Sequence, residues 1–315
     1  MPFINDEIIS SDLVAVKAKI EDVYNVAEAL LAADGVMLSN FKLTPIKATH
    51  EDSNIVSGTS GNTKKSLNYI MSEASFDIEL GRAVGAVVTV PPAVGMFLRV
   101  CGWDEYIEVD HVRYQLASDI NLQDSLTFET QIDDRNIVLA GVRGDSTIKF
   151  TEDKRLMASF KVEANFSEPT QSVFSRVDYS AFARSLIVNP DNVTACTQKG
   201  SDVVTHSIEF SAGAKVERIP SVNQKMVSHT AISPSCKSTI RAPKLAQWNI
   251  EADVANETED WIKFALGSAA GAIVEMDIYA QYLNADLTDD TPKKANITHH
   301  PIPDATTSGA VIRFK

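Results

Sequence analysis

The sequence predicts a mainly β fold: two tandem β-sandwich or barrel domains, each with one short covering α-helix. Three observations carry this. Short runs of alternating apolar and polar residues recur at close spacing, most clearly Phe160, Val162, Ala164 and Phe166. The stretch 76–103 reads as a strand, a loop and a short helix inside a chain otherwise rich in strands. The same order of strand, polar loop, strand and helix returns in the second half at an offset of roughly 160–170 residues, far longer than a solenoid period, which reads as domain duplication.

Taken in order, residues 1–34 form an N-terminal arm. Residues 13–18 read as a strand and the alanine- and leucine-rich stretch 21–33 as a short helix. Residues 36–46 alternate with a register shift near Asn40, giving a bulged strand that ends at Pro45. Residues 47–65 are polar and glycine-containing and read as a long loop. Phe76, Ile78 and Leu80 alternate with Asp77 and Glu79 as in a half-buried strand. Pro91 and Pro92 set a helix start, because proline lacks an N–H that the first turn does not use. Val94, Phe97, Leu98 and Cys101 then form one apolar helical face, and Gly102 supplies the stop. Strands are expected within 105–116, 126–133, 137–142, 145–150 and 156–166, with turns at Asp134-Arg135 and over 151–155. Residues 167–192, with Pro169, Ser172, Ser175 and Pro190, show little periodicity. The domains are therefore set at 1–170 and 193–315, with a linker at 171–192.

In the second half, 203–216 repeats the strand of 36–48, 217–235 the polar loop, and 237–243 the central strand. Leu245, Trp248 and Ala252 lie at helical spacing in 245–256 and repeat the covering helix. Residues 261–266, 273–284 and 310–314 read as closing strands. The second copy is shorter and lacks a counterpart of Gly141-Val142-Arg143-Gly144.

The chain has 315 residues, 44% of them hydrophobic, enough for two ordinary domains. Its formal net charge of −13 argues against a nucleic-acid-binding surface, which needs clustered lysine and arginine. Cys101, Cys196 and Cys236 are widely spaced and odd in number, so neither a disulfide framework nor a zinc site follows. The first residues, MPFINDEII, lack the cationic and apolar regions of a signal peptide, and no apolar run approaches membrane-helix length. No cofactor is expected.

Catalytic chemistry finds little purchase. None of the six histidines makes an HExxH spacing, and His299-His300 beside Pro301 reads as a solvated loop whose rings point apart. Asp133-Asp134 and Asp289-Asp290 read as turn carboxylates rather than an acid/base pair. The segment 58–61 opens no helix with the GK[ST] of a phosphate loop, and no GxSxG elbow occurs. Arg143 between glycines reads as an interface or structural arginine. The chain is not expected to be an enzyme.

The stretch built on Glu79, Leu80, Gly81, Pro92, Phe97, Leu98, Arg99, Val100, Cys101 and Gly102 resembles the central motif of the tail tube (major tail) proteins of long-tailed bacteriophages. Ala18-Lys19-Ile20-Glu21 with Tyr24 resembles that family's start, Asn25 standing where the family has glycine. Tyr114, Gly141-Val142-Arg143-Gly144, the strand at 147–150 and the segment 177–182 follow in the family's order. The resemblance implies two tail-tube-like domains in a structural virion protein, made in the host cytoplasm and carried in the phage tail.

It further implies rings that stack into the conduit for DNA ejection, with sheets of neighbouring subunits joined around a lumen that passes DNA without specific binding. The expected partners are the chain itself, as a trimeric ring with pseudo-six-fold symmetry or alternatively a hexamer, together with a tape measure protein, a tail terminator and tail-tip proteins. No membrane is involved. The long loop would make the contact between rings, through Asp52, Ser53, Asn54, Gly58, Gly61, Asn62, Lys64 and Lys65. Phe97, Leu98 and Cys101 would form the buried face of the covering helix. The alternative reading is a tail-tip or receptor- or carbohydrate-binding β-sandwich, which would place aromatic clusters in exposed loops.

Overall fold

A computed structural model describes residues 13–51, 65–82, 85–219, 226–289, 291–305 and 307–315. The protein is mainly β and dominated by a large antiparallel sheet. The first half contributes β1 (Val14–Ile20), β2 (Ser39–Glu51), β3 (Ser66–Glu79), α1 (Gly95–Arg99), β4 (Trp103–Ile107), β5 (Val112–Leu116), β6 (Leu126–Ile132), β7 (Arg135–Thr151), β8 (Met157–Asn165) and β9 (Thr170–Gln171). The second half contributes β10 (Val193–Gln198), β11 (Ser201–Asp202), β12 (Thr205–Ser211), β13 (Ala214–Ile219), β14 (Met226–Ile232), β15 (Ser235–Arg241), α2 (Ile250–Ala255), β16 (Glu259–Leu266), β17 (Val274–Leu287), β18 (Lys294–Pro301) and β19 (Ala310–Phe314).

One pairing pattern occurs twice. In the first half β2 pairs with β3, β3 with β8, β8 with β7, β7 with β6 and β9, and β6 with β1. In the second, β12 pairs with β15, β15 with β18, β18 with β17, β17 with β16 and β19, and β16 with β10. Single hydrogen bonds fix the correspondence. Val36 N donates to Val16 O at 2.9 Å, and Val203 N to Cys196 O at 3.1 Å. Leu80 N donates to Leu156 O at 2.9 Å, and Ala242 N to Lys293 O at 3.0 Å. The halves meet edge to edge at β7 and β12, where Ile148 lies opposite Phe210. They meet again where β5 pairs with β19.

One large apolar cluster runs through both halves, from Val16 to Phe314. Phe76 sits at its centre, with ring centroids 5.3 Å from Phe97, 5.6 Å from Phe128 and 5.6 Å from Phe160. The indole of Trp103 is buried there and donates to Ser146 Oγ at 2.9 Å. A smaller cluster, Ile240, Ile250, Tyr282, Ala295 and Ile297, lies in the second half.

Several expectations are corrected. Residues 21–33 form no α-helix; only a 3-10 turn, Ala32–Asp34, follows. The reason is Glu21, whose buried carboxylate accepts from Asn25 N (2.8 Å), Ser125 Oγ (2.5 Å), Thr127 Oγ1 (3.1 Å) and Gly141 N (2.8 Å), with Asn25 held at φ 60°. That hub takes the Asn25 N–H, which a helix would direct to the Glu21 carbonyl, and ties Glu21 to distant segments. Residues 47–51 extend β2 rather than opening a loop, and 217–219 and 226–232 form the β13–β14 hairpin. The strands expected at 137–142 and 145–150 are one, β7, which pairs with β6 in its first part and β8 in its second. Its opening turn is Asp133-Asp134, because Ile132 pairs with Arg135. β18 and β10 were not expected, and His299 is buried in β18 rather than solvated.

Candidate assembly surface

The sheet that runs β2-β3-β8-β7-β12-β15-β18-β17 buries one face in the core and leaves the other polar. The pleat explains the alternation: Ala74, Phe76 and Ile78 point in, so Glu73, Ser75, Asp77 and Glu79 point out. Charges on the open face are interleaved. Lys47 Nζ lies 2.7 Å from Glu73 and 3.5 Å from Glu163, and Lys161 lies 3.4 Å from Glu73. Lys149 stands opposite Glu209, which stands opposite Lys237. The hydrogen bond from Lys47 holds the Glu73 carboxyl below the usual carboxylate range. Burial raises that of Asp145, which accepts from Ala214 N at 2.9 Å.

At one end of this sheet β2 pairs only with β3 among the described residues. At the other, β17 beyond Tyr282, whose N–H still donates to Thr258 O at 3.0 Å, pairs only with β18 among the described residues. Both edges carry apolar residues: Ile46, Leu283 and Leu287 are among the exposed large side chains. In the repeated pattern β2 corresponds to β12 and the end of β17 to the end of β7, the strands already joined within the chain.

Of the residues expected to contact a neighbouring ring, Asp52, Ser53, Asn54, Gly58, Gly61, Asn62 and Lys64 lie outside the described residues; Lys65 is exposed beside β3. Phe97, Leu98 and Cys101 are fully buried, and burial pushes the Cys101 thiol well up. The helix is shorter than the sequence suggests, five residues flanked by turns. Arg143 is a structural arginine. Its guanidinium donates to Gln123 O (2.8 Å), Asp124 O (3.3 Å), Val227 O (3.3 Å) and Ser228 Oγ (3.0 Å) and stacks on Tyr24. The glycines beside it were the only trace of this in the sequence.

Among the described residues one group has metal-ligand spacing. Glu108, Asp110 and His111, in the turn between β4 and β5, hold ligand atoms within 4.8 Å of one another. Arg113 Nε already bonds Glu108 at 2.7 Å, and Asp110 bonds His111 Nδ1 at 2.7 Å. A cavity of about 680 Å³ opens beside α2, lined by Gln198, Val203, Ile240, Pro243, Leu245 and Trp248. Gln198 is fully buried, and neither amide atom finds a partner. No helix of the described residues is long and apolar enough to cross a membrane. Compared with protein-family models and with curated proteins, the sequence finds no match.

Proposed function

We propose that this chain is a tail tube subunit of a long-tailed bacteriophage. It comprises two tail-tube-like domains, 1–170 and 193–315, joined by 171–192, with α1 and α2 as their covering helices. One observation carries the reading. The chain joins two copies of one strand pattern edge to edge, and among the described residues the same two edges are unpaired at the ends of that sheet. A second copy can therefore add its β2 to β17 by the rule that β12 follows on β7. In that joint Leu43 would lie opposite Leu287, as Phe210 lies opposite Ile148. Such a head-to-tail contact closes into a ring when its rotation divides a full turn. Closure removes the exposed edges that otherwise invite aggregation.

Three chains supply six sheet segments, so the ring is a trimer with pseudo-six-fold symmetry. A hexamer with one domain outside is the alternative. The polar face of the continuous sheet would line the lumen. Lysine and arginine retain DNA through its phosphates, and here they are interleaved with carboxylates in a chain of net charge −13. Stacking through residues 52–65 would build the tube, with tape measure, terminator and tail-tip proteins as partners. The role is structural, not enzymatic, and its place is the virion.

Cryo-electron microscopy of the concentrated protein tests this. Stacked rings with true three-fold and approximate six-fold symmetry are expected. Dispersed particles at every concentration would refute the reading. Six identical lumen-facing domains with a second set outside would refute the trimer.

A further inference from the structure

The segment that enters the second half of the chain lies on the first half. Asp178 N donates to Ala32 O (2.7 Å), Ser185 N to Glu79 Oε2 (2.9 Å), Val188 N to Lys154 O (2.8 Å), and Asp153 N to Val188 O (2.8 Å). Gly81 permits the close approach, since a Cβ there would stand 2.5 Å from Ser185 N and 2.6 Å from Ala183 O. Phe182 packs on the main core. The chain then continues into β10.

The second half presents the corresponding floor, and there it is a cavity. Val203 corresponds to Val36, and Ile240 to Pro243 correspond to Ile78 to Gly81, by the matching strands and hydrogen bonds. Where the first half is crossed by 178–188, the second has the 680 Å³ cavity over the unpartnered Gln198 amide, with Leu245 and Val204 exposed at its rim. A fully buried amide with neither atom bonded is costly and calls for a polar partner.

The sequence holds a second copy of the covering segment. Residues 3–14, FINDEIISSDLV, match 182–193, FARSLIVNPDNV, at one spacing: Phe3 with Phe182, Ile8 with Ile187, Ile9 with Val188, Asp12 with Asp191, and Val14 with Val193. The first of these precedes β1 as the second precedes β10. The segment at 182–193 docks on the half before the one it enters. The same rule applied to 3–14 points to the second half of another chain.

We propose that the cavity beside α2 accepts residues 2–9 of a second copy of this chain, with Phe3 taking there the place that Phe182 takes on the first half. Backbone groups of the donated segment meet the Gln198 amide, and Asp6 and Glu7 approach Arg241 on the rim. This rests on the reading of the chain as a self-assembling subunit. It adds a donated segment, distinct from the β2–β17 joint.

Two measurements on full-length protein test it. Sedimentation velocity compares wild type with Phe3→Asp, and far-UV circular dichroism checks that the variant folds. The variant is expected to remain monomeric where wild type assembles; a variant that assembles like wild type overturns the proposal. Separately, a synthetic peptide of residues 1–12 is titrated into full-length Phe3→Asp protein and followed by tryptophan fluorescence. Saturable binding is expected, at least about tenfold weaker for the peptide carrying Phe3→Asp, as for loss of a buried aromatic anchor. The signal is expected to vanish in the Phe3→Asp protein that also carries Trp248→Phe. No saturable binding, or a signal indifferent to Trp248, overturns the proposal. If wild type does not assemble at all, the tube reading falls, and the peptide titration alone decides this one.

Discussion

Replacing Phe97 by alanine is expected to cost the protein about 3–5 kcal/mol, the range for emptying a buried aromatic site that cannot collapse. The structure supplies the reasons for a value well inside that range. Phe97 has no exposed surface and lies at the junction of α1 with β3 and β8. Its ring centroid is 5.3 Å from that of Phe76 in an edge-to-face arrangement and 5.5 Å from that of Phe160. Each such pair contributes about 0.5–1.5 kcal/mol beyond the area it buries. Collapse is hindered because the neighbours are held elsewhere: Phe76 also stacks on Phe128, and β3 and β8 are locked in register over nine consecutive pairs. Urea unfolding of the monomeric protein, followed by tryptophan fluorescence, measures the loss as a shift in midpoint at unchanged slope. A loss below about 1 kcal/mol would mean that α1 does not bury this face, and the assignment of the helix as a core element would fall with it.

Glu21→Ala is expected to cost about 3 kcal/mol, because it strands the donors of Asn25, Ser125, Thr127 and Gly141 together; a thermal melt unchanged from wild type would show that the hub is dispensable. Gly81→Val is expected to lift residues 183–187 from β3, since even a Cβ meets Ser185 N at 2.5 Å. Trypsin should then cut after Arg184 at least about tenfold faster, and an unchanged rate argues against the close approach. Burial holds the His299 imidazole well below its ordinary 6.5, to about 3. Below pH 6.5 the unfolded chain therefore binds a proton that the folded chain refuses, and stability falls with acidification by up to about 1.4 kcal/mol per pH unit. His299→Gln, which keeps an acceptor for Ser238 Oγ, should flatten the pH dependence of unfolding between pH 6 and 4 by roughly that slope; equal slopes would refute it.

The β class was legible because period-two alternation is a local property of the chain. β3, β8 and β16 show it in their sequences, and each buries the face that the alternation marks. What the sequence hid was set by distant partners. Residues 21–33 have helical composition, but the bonds that fix Glu21 come from positions more than a hundred residues away. β18 reads as polar because its outward residues are polar, Asn296 and His300 exposed and Thr298 half-buried, while its buried set includes a histidine. Gln198 carries no local sign of burial either, being a polar residue at the end of a weakly alternating strand. Arg143 was marked only by its flanking glycines; that its partners are main-chain carbonyls of two separate segments depends on the fold.

The two halves are not interchangeable, and the difference bears on how firmly copies would hold one another. Within the chain strands of the two halves pair at two places among the described residues, β7 with β12 and β5 of the β4–β5 hairpin with β19, and the β13–β14 strands also bond the first half through Arg143 and Asp145. A joint between copies could reproduce the first contact through β17 and β2. It could not reproduce the second. Between α2 and β16 the chain has only residues 256–258, where the first half places the whole β4–β5 hairpin between α1 and β6. The strand that corresponds to β19 is β9, which is two residues long. Both sides of that contact are therefore missing from the joint between copies. The β5–β19 contact is made within one chain, with Tyr114 and Phe314 packed edge-to-face across it at 5.7 Å. Association would depend on the exposed strand edges and on whatever else the neighbour donates. A backbone-paired edge of a few residues is a marginal contact by itself. The cavity beside α2 lies in the half that lacks the hairpin, so a segment donated there would strengthen the joint on the side where the duplicated pattern is incomplete.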